Sequence, residues 1–363
     1  MNFIPLLFYS FAFFLLVGYV VFMAFAVVGF VRKAPTVPPN KTNLPVDIII
    51  AFRDEAAQLN NLLQSIENQT HPNIRVLWVD DHSADNGAQL ISAFARRSSY
   101  AHVVLQNSGQ GKKAAVRLGI EYSSAPLVLF TDADCILPPR WVETYVKYYA
   151  MHGDGLYFGP VTYHVGKGLL KQIFSLEFLS LVGTGIGLAA VRHSVYMNGA
   201  NYGASRKVLQ LARNMAGAGY ASGDDVFLLH KVKQEYSSQK VIPVNDQNVA
   251  VSTRAPHSLG AFLRQRIRWG SKASAYNDPS SVLLAQVVFA LAGIQLLSFL
   301  FLHEILLFIV LWGVKIIIDF VVLAIFASRW HMKYLLRFFP VVVVLYPLYI
   351  VSVAFAGFVS EPG

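Results

Sequence analysis

The stretch Leu127-Val128-Leu129-Phe130-Thr131-Asp132-Ala133-Asp134 places a short apolar run directly before two carboxylates separated by one residue. A run this short and this apolar reads as a buried strand of a sheet covered by helices. The same pattern recurs twice upstream. Val46–Ala51 runs into Asp54-Glu55 and then into Ala56, Leu59, Leu62, Leu63 and Ile66 at helical spacing. Ile74–Val79 ends in Asp80-Asp81-His82-Ser83 before an amphipathic segment carrying Leu90, Ile91 and Phe94. A short strand around Val103–Leu105 and a helix from about Lys112 lie between these units and Leu127. Successive β-α units predict an α/β fold with a largely parallel central sheet. The acidic residues then gather at the carboxyl ends of the strands, the edge at which open α/β sheets bind ligands.

Outside this polar middle the chain is strongly apolar. Its 363 residues are 55% hydrophobic and 14% charged, with a net charge of +9 and a mean hydropathy of +0.46. An ordinary soluble domain has roughly 25% charged residues, so a disordered chain is excluded and a purely soluble one disfavoured. The single cysteine, Cys135, excludes an internal disulfide, and no Cys/His cluster is present for zinc or an iron–sulfur centre. Residues 3–31 carry no charge and exceed the roughly 20 residues that cross a bilayer. Arg32 and Lys33 follow this run rather than precede it, which favours a retained transmembrane helix over a signal peptide.

Three further spans are predicted at Val282–Leu302, Ile305–Ala327 and Phe338–Val359. The loop after the first has no Lys or Arg, whereas the next carries Arg329, Lys333 and Arg337, so the charge rule places residues 32–281 in the cytoplasm. Within the second of these spans, Lys315 and Asp319 form an i,i+4 pair that is either structural or part of a substrate path. Gly168–Val191 competes as a fifth span, but crossing would separate the acidic motifs from everything after it. An amphipathic helix at the membrane surface is the expectation. The domain boundaries follow: an N-terminal transmembrane helix at 1–33, a cytoplasmic domain at 34–280 that includes the interfacial helix at about 168–191, and three transmembrane helices at 281–363.

Each acidic pair has two readings. Aspartate is common in turns and at helix N-termini. Asp132 and Asp134 also suit a hard divalent cation, since Mg²⁺ takes one or two carboxylates together with phosphate oxygens and water. The loop Gly109-Gln110-Gly111-Lys112-Lys113 offers a cation to a diphosphate without forming a P-loop.

The ordered set of motifs resembles the membrane-bound family 2 glycosyltransferases, which have a GT-A nucleotide-sugar-binding domain. Phe52-Arg53-Asp54-Glu55 resembles the family's first-loop "aRNE", and Val79-Asp80-Asp81-His82-Ser83 its "vDDgS". Gly111-Lys112-Lys113-Ala114-Ala115 is similar to "GKagA", Asp132-Ala133-Asp134 to the DxD element and Gly223-Asp224-Asp225 to the acidic element of the catalytic base. Gln265-Arg266-Ile267-Arg268-Trp269 is similar to QxxRW. Asp54 stands where the family usually has Asn, and Gly270–Pro279 has no clear gating-loop pattern of cellulose-type synthases.

The resemblance implies the roles. Glu55, Asp80 and Asp81 would hold base and ribose. Asp132 and Asp134 would hold Mg²⁺ or Mn²⁺, with Asp132 also counted among the donor-binding residues. Lys112 and Arg268 would neutralise the diphosphate. Asp225 would be the general base of an inverting displacement, its pKa raised by its acidic neighbour; helix capping is the other reading of the Asp224-Asp225 pair. Gln265 and Trp269 would bind the acceptor. Arg264 and Arg266 are expected at the membrane surface, with Arg264 and Arg268 on one helix face. Asn201 lies where the family often has a donor-sugar loop.

The favoured expectation is a single transfer from a UDP-sugar to a membrane lipid acceptor at the cytoplasmic face of an inner or plasma membrane. The alternatives are a processive polysaccharide synthase with a glycan acceptor and partner subunits, and a catalytically silent nucleotide-sugar-binding protein. Nucleic acid is not an expected partner, since the basic residues largely border the membrane spans.

Overall fold

The computed structural model describes residues 3–32, 43–164, 168–214, 224–271 and 278–359. In chain order the elements are α1 (Phe3–Val31), β1 (Val46–Phe52), α2 (Ala56–Glu67), β2 (Ile74–Asp80), α3 (Gly87–Ala95), β3 (Ala101–Gln106), α4 (Gly111–Tyr122), β4 (Leu127–Thr131) and α5 (Trp141–His152). They continue with β5 (Leu156–Phe158), β6 (Val161–His164), α6 (Leu169–Ala190), β7 (Asn201–Ser205), α7 (Arg206–Asn214), α8 (Asp224–Glu235), β8 (Val241–Pro243) and β9 (Val251–Arg254). Last come α9 (Leu259–Gly270), α10 (Pro279–Leu297), α11 (Ile305–Arg329) and α12 (Phe339–Val359). Packing groups them into a sheet unit, Lys33–His164 with Tyr196–Arg254, and a helical unit, Met1–Arg32 with Val165–Val195 and Ala255–Gly363.

The sheet unit is built on seven strands in the order β3-β2-β1-β4-β7-β5-β8, as the β-α pattern predicts for its parallel half. The strands β3, β2, β1 and β4 run parallel, and their carboxyl ends lie side by side: Phe52 pairs with Asp80, and Asp80 with Gln106. β7 runs antiparallel between β4 and β5, with Thr131 opposite Asn201. A separate parallel pair joins β6 to β9. β1 and β4 are buried on both faces, which explains their unbroken apolar runs. α2 turns Leu59, Leu62, Leu63 and Ile66 inward. α4 lies close on β1 because Gly119 has no Cβ to meet the Ile49 side chain.

One charge inside β1 is structural. Asp47 is buried and accepts from Arg75 Nε and Nη2 at 2.8 and 2.7 Å, from Ser123 Oγ at 2.6 Å, and from the Ser124 and Ala125 amides at 3.0 and 3.1 Å. Desolvation opposes ionisation here, but the Arg75 hydrogen bonds and the other donors outweigh it and hold the carboxyl below its ordinary value.

Among the described residues of the helical unit, five helices, α1, α6, α10 with the turn that follows it, α11, and α12 with the turn that precedes it, are long and apolar enough to cross a membrane. α1 lies along α6 so closely that a Cβ at Gly187 would meet the Ala26 backbone and one at Gly29 the Gly187 carbonyl. Phe30 of α1 packs on Phe326 and Trp330, at 4.4 and 5.1 Å between ring centroids.

Two expectations differ from this arrangement. α6 is not amphipathic: its most apolar window is 72% buried, against 17–33% for the other four, and Gly185 to Ala189 are all buried. α1, α11, α12 and the turn at Lys333–Phe338 surround it, so glycines and small residues stand where a polar face was expected. Packing also places α6 and α9 with the long helices, rather than with the sheet as the boundaries at 34 and 280 expect. Within the bundle, Lys315 Nζ meets Asp319 Oδ2 at 2.5 Å, and Tyr19 donates to Asp319 Oδ1 at 2.6 Å. The Tyr19 and Tyr346 rings lie 4.5 and 5.4 Å from the ammonium, so the pair links α1, α11 and α12.

Candidate active site

The site begins at the end of β1. Asp54 adopts a left-handed conformation, φ 55°, and its Oδ1 accepts from the Ala84 amide at 2.7 Å, tying the first loop to the second. Glu55 occupies the N-cap position of α2, yet its side chain makes no capping bond. Asp85 does that work from the neighbouring loop, accepting from the Ala56 amide at 2.7 Å through Oδ2. The Glu55 carboxylate is left half-buried, in the field of Asp134 and Asp132. Burial raises its pKa, the Asp134 and Asp132 charges raise it further, and Arg254 opposes them.

At the end of β2, Asp80 Oδ1 accepts from the Ser83 amide at 2.9 Å. Asp81 Oδ1 accepts from Asn107 Nδ2 at 2.7 Å and from the Gly111 amide at 3.0 Å. Both carboxylates are buried. Asp81 thereby fixes the start of α4, where Gly111 has φ +83° and a side chain would be strained. The next residue, Lys112, reaches across to Asp132 Oδ1 at 2.5 Å.

Past β4, Asp134 Oδ2 accepts from Thr253 Oγ1 of β9 at 2.9 Å. Burial and the Asp132 charge raise the Asp134 pKa, and the Thr253 bond only partly offsets them. Desolvation of the Lys112 ammonium is outweighed by the charge and hydrogen bond of Asp132, with Asp225 adding to them, so Lys112 stays charged. Burial, followed by the Asp132 and Asp134 charges, pushes the Cys135 thiol up, which removes it as a thiolate ligand. Asp225 sits in the first turn of α8, where a Cβ at Gly199 would come within 3.1 Å of its Oδ2. Gly223 and the Asp224 side chain lie outside the described residues.

The sheet edge therefore gathers Glu55, Asp80, Asp81, Lys112, Asp132, Asp134 and Asp225. Among the described residues no three His, Cys, Asp or Glu side chains converge as a metal cage by themselves. The hard oxygens of Asp132 and Asp134 suit Mg²⁺ or Mn²⁺ that completes its coordination with phosphate and water. Burial first, and the neighbouring carboxylates second, raise Glu55 and Asp134, and a divalent cation beside them would offset both effects.

Gln265, Arg268 and Trp269 lie on α9, in the helical unit. Arg264 and Arg268 are both exposed, with the i,i+4 spacing of one helix face. Arg266 corrects an expectation: it is buried, not at a membrane surface, because Glu177 of α6 pairs with it, Nη2 to Oε2 at 2.5 Å. Asn201 corrects another. It is fully buried and its side chain makes four hydrogen bonds, so it braces the fold instead of meeting a donor sugar. Asp85, Thr253 and Arg254 were not legible as site residues, since their partners lie far along the chain or in a neighbouring loop.

Residues 47–209 match the model of "Glycosyl transferase family 2". Undecaprenyl-phosphate 4-deoxy-4-formamido-L-arabinose transferase of Pseudomonas paraeruginosa is 35% identical over 28% of this chain and 31% of its own length. Poly-beta-1,6-N-acetyl-D-glucosamine synthase of Staphylococcus epidermidis is 22% identical over 62% of this chain and 53% of its own. The chain spans between about a third and about half of the length of the curated relatives it matches. In fold it is similar to mannosyltransferase PcManGT from Pyrobaculum calidifontis, solved in complex with GDP-Man and Mn²⁺, with a TM-score of 0.55, 17% identity, and 93% and 99% of the two chains covered. The match over residues 47–209 makes this part of the chain similar to glycosyl transferase family 2, and the sheet built on it has the GT-A fold.

Proposed function

We propose that this chain transfers a sugar from a nucleoside diphosphate sugar, with UDP as the expected nucleotide, to a lipid acceptor in the membrane. The observation that carries the reading is the cluster at the sheet edge, in which Lys112 bridges to Asp132 while Glu55 and Asp134 are held above their ordinary pKa values. Glu55, Asp80 and Asp81 contact base and ribose. Asp132 and Asp134 hold Mg²⁺ or Mn²⁺, which when bound supplies positive charge to the departing diphosphate. Lys112 adds its own charge there. Asp225 takes the proton of the acceptor hydroxyl as that oxygen attacks the anomeric carbon, and the leaving diphosphate departs from the opposite face, which inverts the centre. On α9, Arg268 is assigned to the diphosphate and Gln265 and Trp269 to the acceptor. Arg268→Ala is expected to weaken donor binding at least tenfold.

The membrane part of the reading concerns α6. Helix α6 does not cross the bilayer in this proposal, because the chain enters it from β5 and β6 and leaves it into β7. β5 and β7 are hydrogen-bonded neighbours, and a single crossing would put them on opposite sides. α6 contacts α1 near Gly29 and Arg32, α11 at Phe326, and Arg337 through Gln172. Those contacts lie toward the helix ends that carry Arg32, Arg329, Lys333 and Arg337, the basic flank expected on the cytoplasmic face.

Purified protein with membrane lipids, Mn²⁺ and a panel of labelled UDP-sugars and GDP-mannose tests the reading, with label partitioned between organic solvent and alcohol-insoluble polymer. Label in the organic phase that disappears in Asp225→Asn, while donor binding persists, is the expected result. Normal transfer by Asp225→Asn removes the base assignment. The similarity over 62% of the chain to a poly-N-acetylglucosamine synthase favours a second reading, a polymer product. Label in polymer establishes that one instead.

A further inference from the structure

We infer that Arg266 and Glu177 form a positioning pair that sets the orientation of Gln265 and Trp269, so that α6 governs how the helical unit presents its acceptor-binding residues; this rests on the acceptor role proposed for α9. The Arg266 guanidinium uses each of its edges. Nε donates to Glu177 Oε1 at 3.1 Å and Nη2 to Glu177 Oε2 at 2.5 Å, a two-point grip that holds the plane of the guanidinium. Nη1 donates to Gln265 Oε1 at 2.7 Å, which fixes which end of that amide faces Arg266. The flat faces are packed as well: the guanidinium carbon lies 4.4 Å from the Trp269 ring, 4.6 Å from Phe262 and 5.6 Å from Phe178.

Glu177 is held in turn. Tyr349 of α12 donates to its Oε1 at 3.0 Å, so the carboxylate is anchored by a second helix as well as by Arg266. Side-chain exposure is 3% for Arg266 and 12% for Glu177, so water does not share these bonds. Sequence spacing marks positions 265, 268 and 269 of the motif. The geometry adds position 266, whose side chain touches both 265 and 269, and a residue 89 positions earlier on α6. A lysine at 266 would keep the charge but lose the fork and the flat faces on which this arrangement depends.

The test uses full-length protein in detergent, labelled with 5-fluorotryptophan. Its five tryptophans, Trp78, Trp141, Trp269, Trp312 and Trp330, give five fluorine signals, and Trp269→Phe assigns one of them. Glu177→Gln and Arg266→Lys are expected to shift the Trp269 signal while leaving those of Trp78 and Trp141 in place. With a total polar lipid extract as acceptor, both variants raise the acceptor KM at least tenfold and leave the nucleotide-sugar Kd within twofold. Because Glu177→Gln leaves the Arg266 charge buried without its partner, the double variant Glu177→Gln/Arg266→Met separates positioning from stability. A positioning pair predicts that the double variant recovers the melting temperature of the native protein but neither the Trp269 signal nor the acceptor KM. Recovery of all three reduces the pair to a structural one and overturns the inference, as does an unmoved Trp269 signal in both single variants. If the native protein transfers no sugar, the acceptor reading of α9 fails by itself, and the fluorine signals alone decide whether Arg266 and Glu177 orient Trp269.

Discussion

Replacing Asn201 by alanine is expected to cost the sheet unit far more than a loop substitution would, because of what the side chain joins. Its Oδ1 accepts from Trp141 Nε1 and Tyr145 OH, both at 2.8 Å, and its Nδ2 donates to the Pro160 and Val249 carbonyls at 2.8 and 2.7 Å. The indole can only donate and the carbonyls only accept, so the amide has one orientation that satisfies all four. Alanine leaves Trp141 Nε1 and the Val249 carbonyl without their partner in a site that is fully buried, while the Tyr145 hydroxyl keeps the backbone carbonyl of residue 201 at 3.3 Å and the Pro160 carbonyl keeps the Val251 amide at 3.1 Å. At the middle of roughly 1–3 kcal/mol for each of these two groups, the loss is about 4 kcal/mol. For a unit of this size that lowers the melting temperature by about 10 °C. Asn201→Asp keeps the shape but sets a carboxylate oxygen against the two carbonyls, so its folded-state pKa must rise. Its deficit therefore shrinks as pH falls toward about 4, the range in which an unfolded aspartate becomes protonated. Tryptophan-fluorescence melts in detergent measure both variants, with Trp141 as a reporter inside the network. A melting temperature within about 2 °C of the native protein, together with a raised donor KM, would refute the reasoning and return Asn201 to the donor sugar.

The other expectations concern the supports of the two units and the proposed metal. Asp47→Asn leaves Arg75 facing a neutral partner and should destabilise the sheet unit by about 3 kcal/mol, the low end for breaking a buried pair, since Arg75 is 32% exposed. The Asp47 pKa is lowered by folding, so its stabilisation is present above the unfolded value near 4 and lost as pH falls through the lower folded value; unfolding curves of native and variant protein should draw together only as pH falls below about 4. Gly187→Val should separate α1 from α6, because the added Cβ meets the Ala26 backbone, and it is expected to shorten the half-life of the detergent-solubilised protein on warming. Lys315→Met alone should destabilise the helical unit by leaving Asp319 uncompensated, whereas Lys315→Met/Asp319→Leu should come close to native stability if the pair serves only to join helices. Asp134→Ala should abolish the dependence of transfer on added Mn²⁺ together with transfer itself, measured with the same labelled donors.

The parallel half of the sheet was legible because strands buried on both faces must be written as unbroken apolar runs, and Val46–Phe52, Ile74–Asp80 and Leu127–Thr131 are such runs. The carboxylates that follow them were equally visible, since a charged residue next to a buried strand has to sit at the strand's end. Asp132, Asp134, Glu55 and Lys112 were therefore placed at the sheet edge by local pattern, and the order of the motifs supplied the resemblance to family 2 glycosyltransferases.

Other features depend on contacts between residues far apart in sequence. Thr253 reaches Asp134 across 119 positions, and Asp85 caps a helix that starts 29 residues earlier, so no window of sequence contains either pair. Asn201 and Arg266 show the same limit more sharply. A polar side chain in a turn and an arginine beside a membrane helix both read as surface residues, and only the groups that surround them decide otherwise: four hydrogen-bond partners for Asn201, one carboxylate and three aromatic rings for Arg266. Hydropathy and spacing, which are sums over neighbours along the chain, determined the strands, the long helices and the acidic edge. Which polar groups are buried, and whether α6 keeps a polar face, are properties of neighbours in space, and the tertiary structure alone decided them.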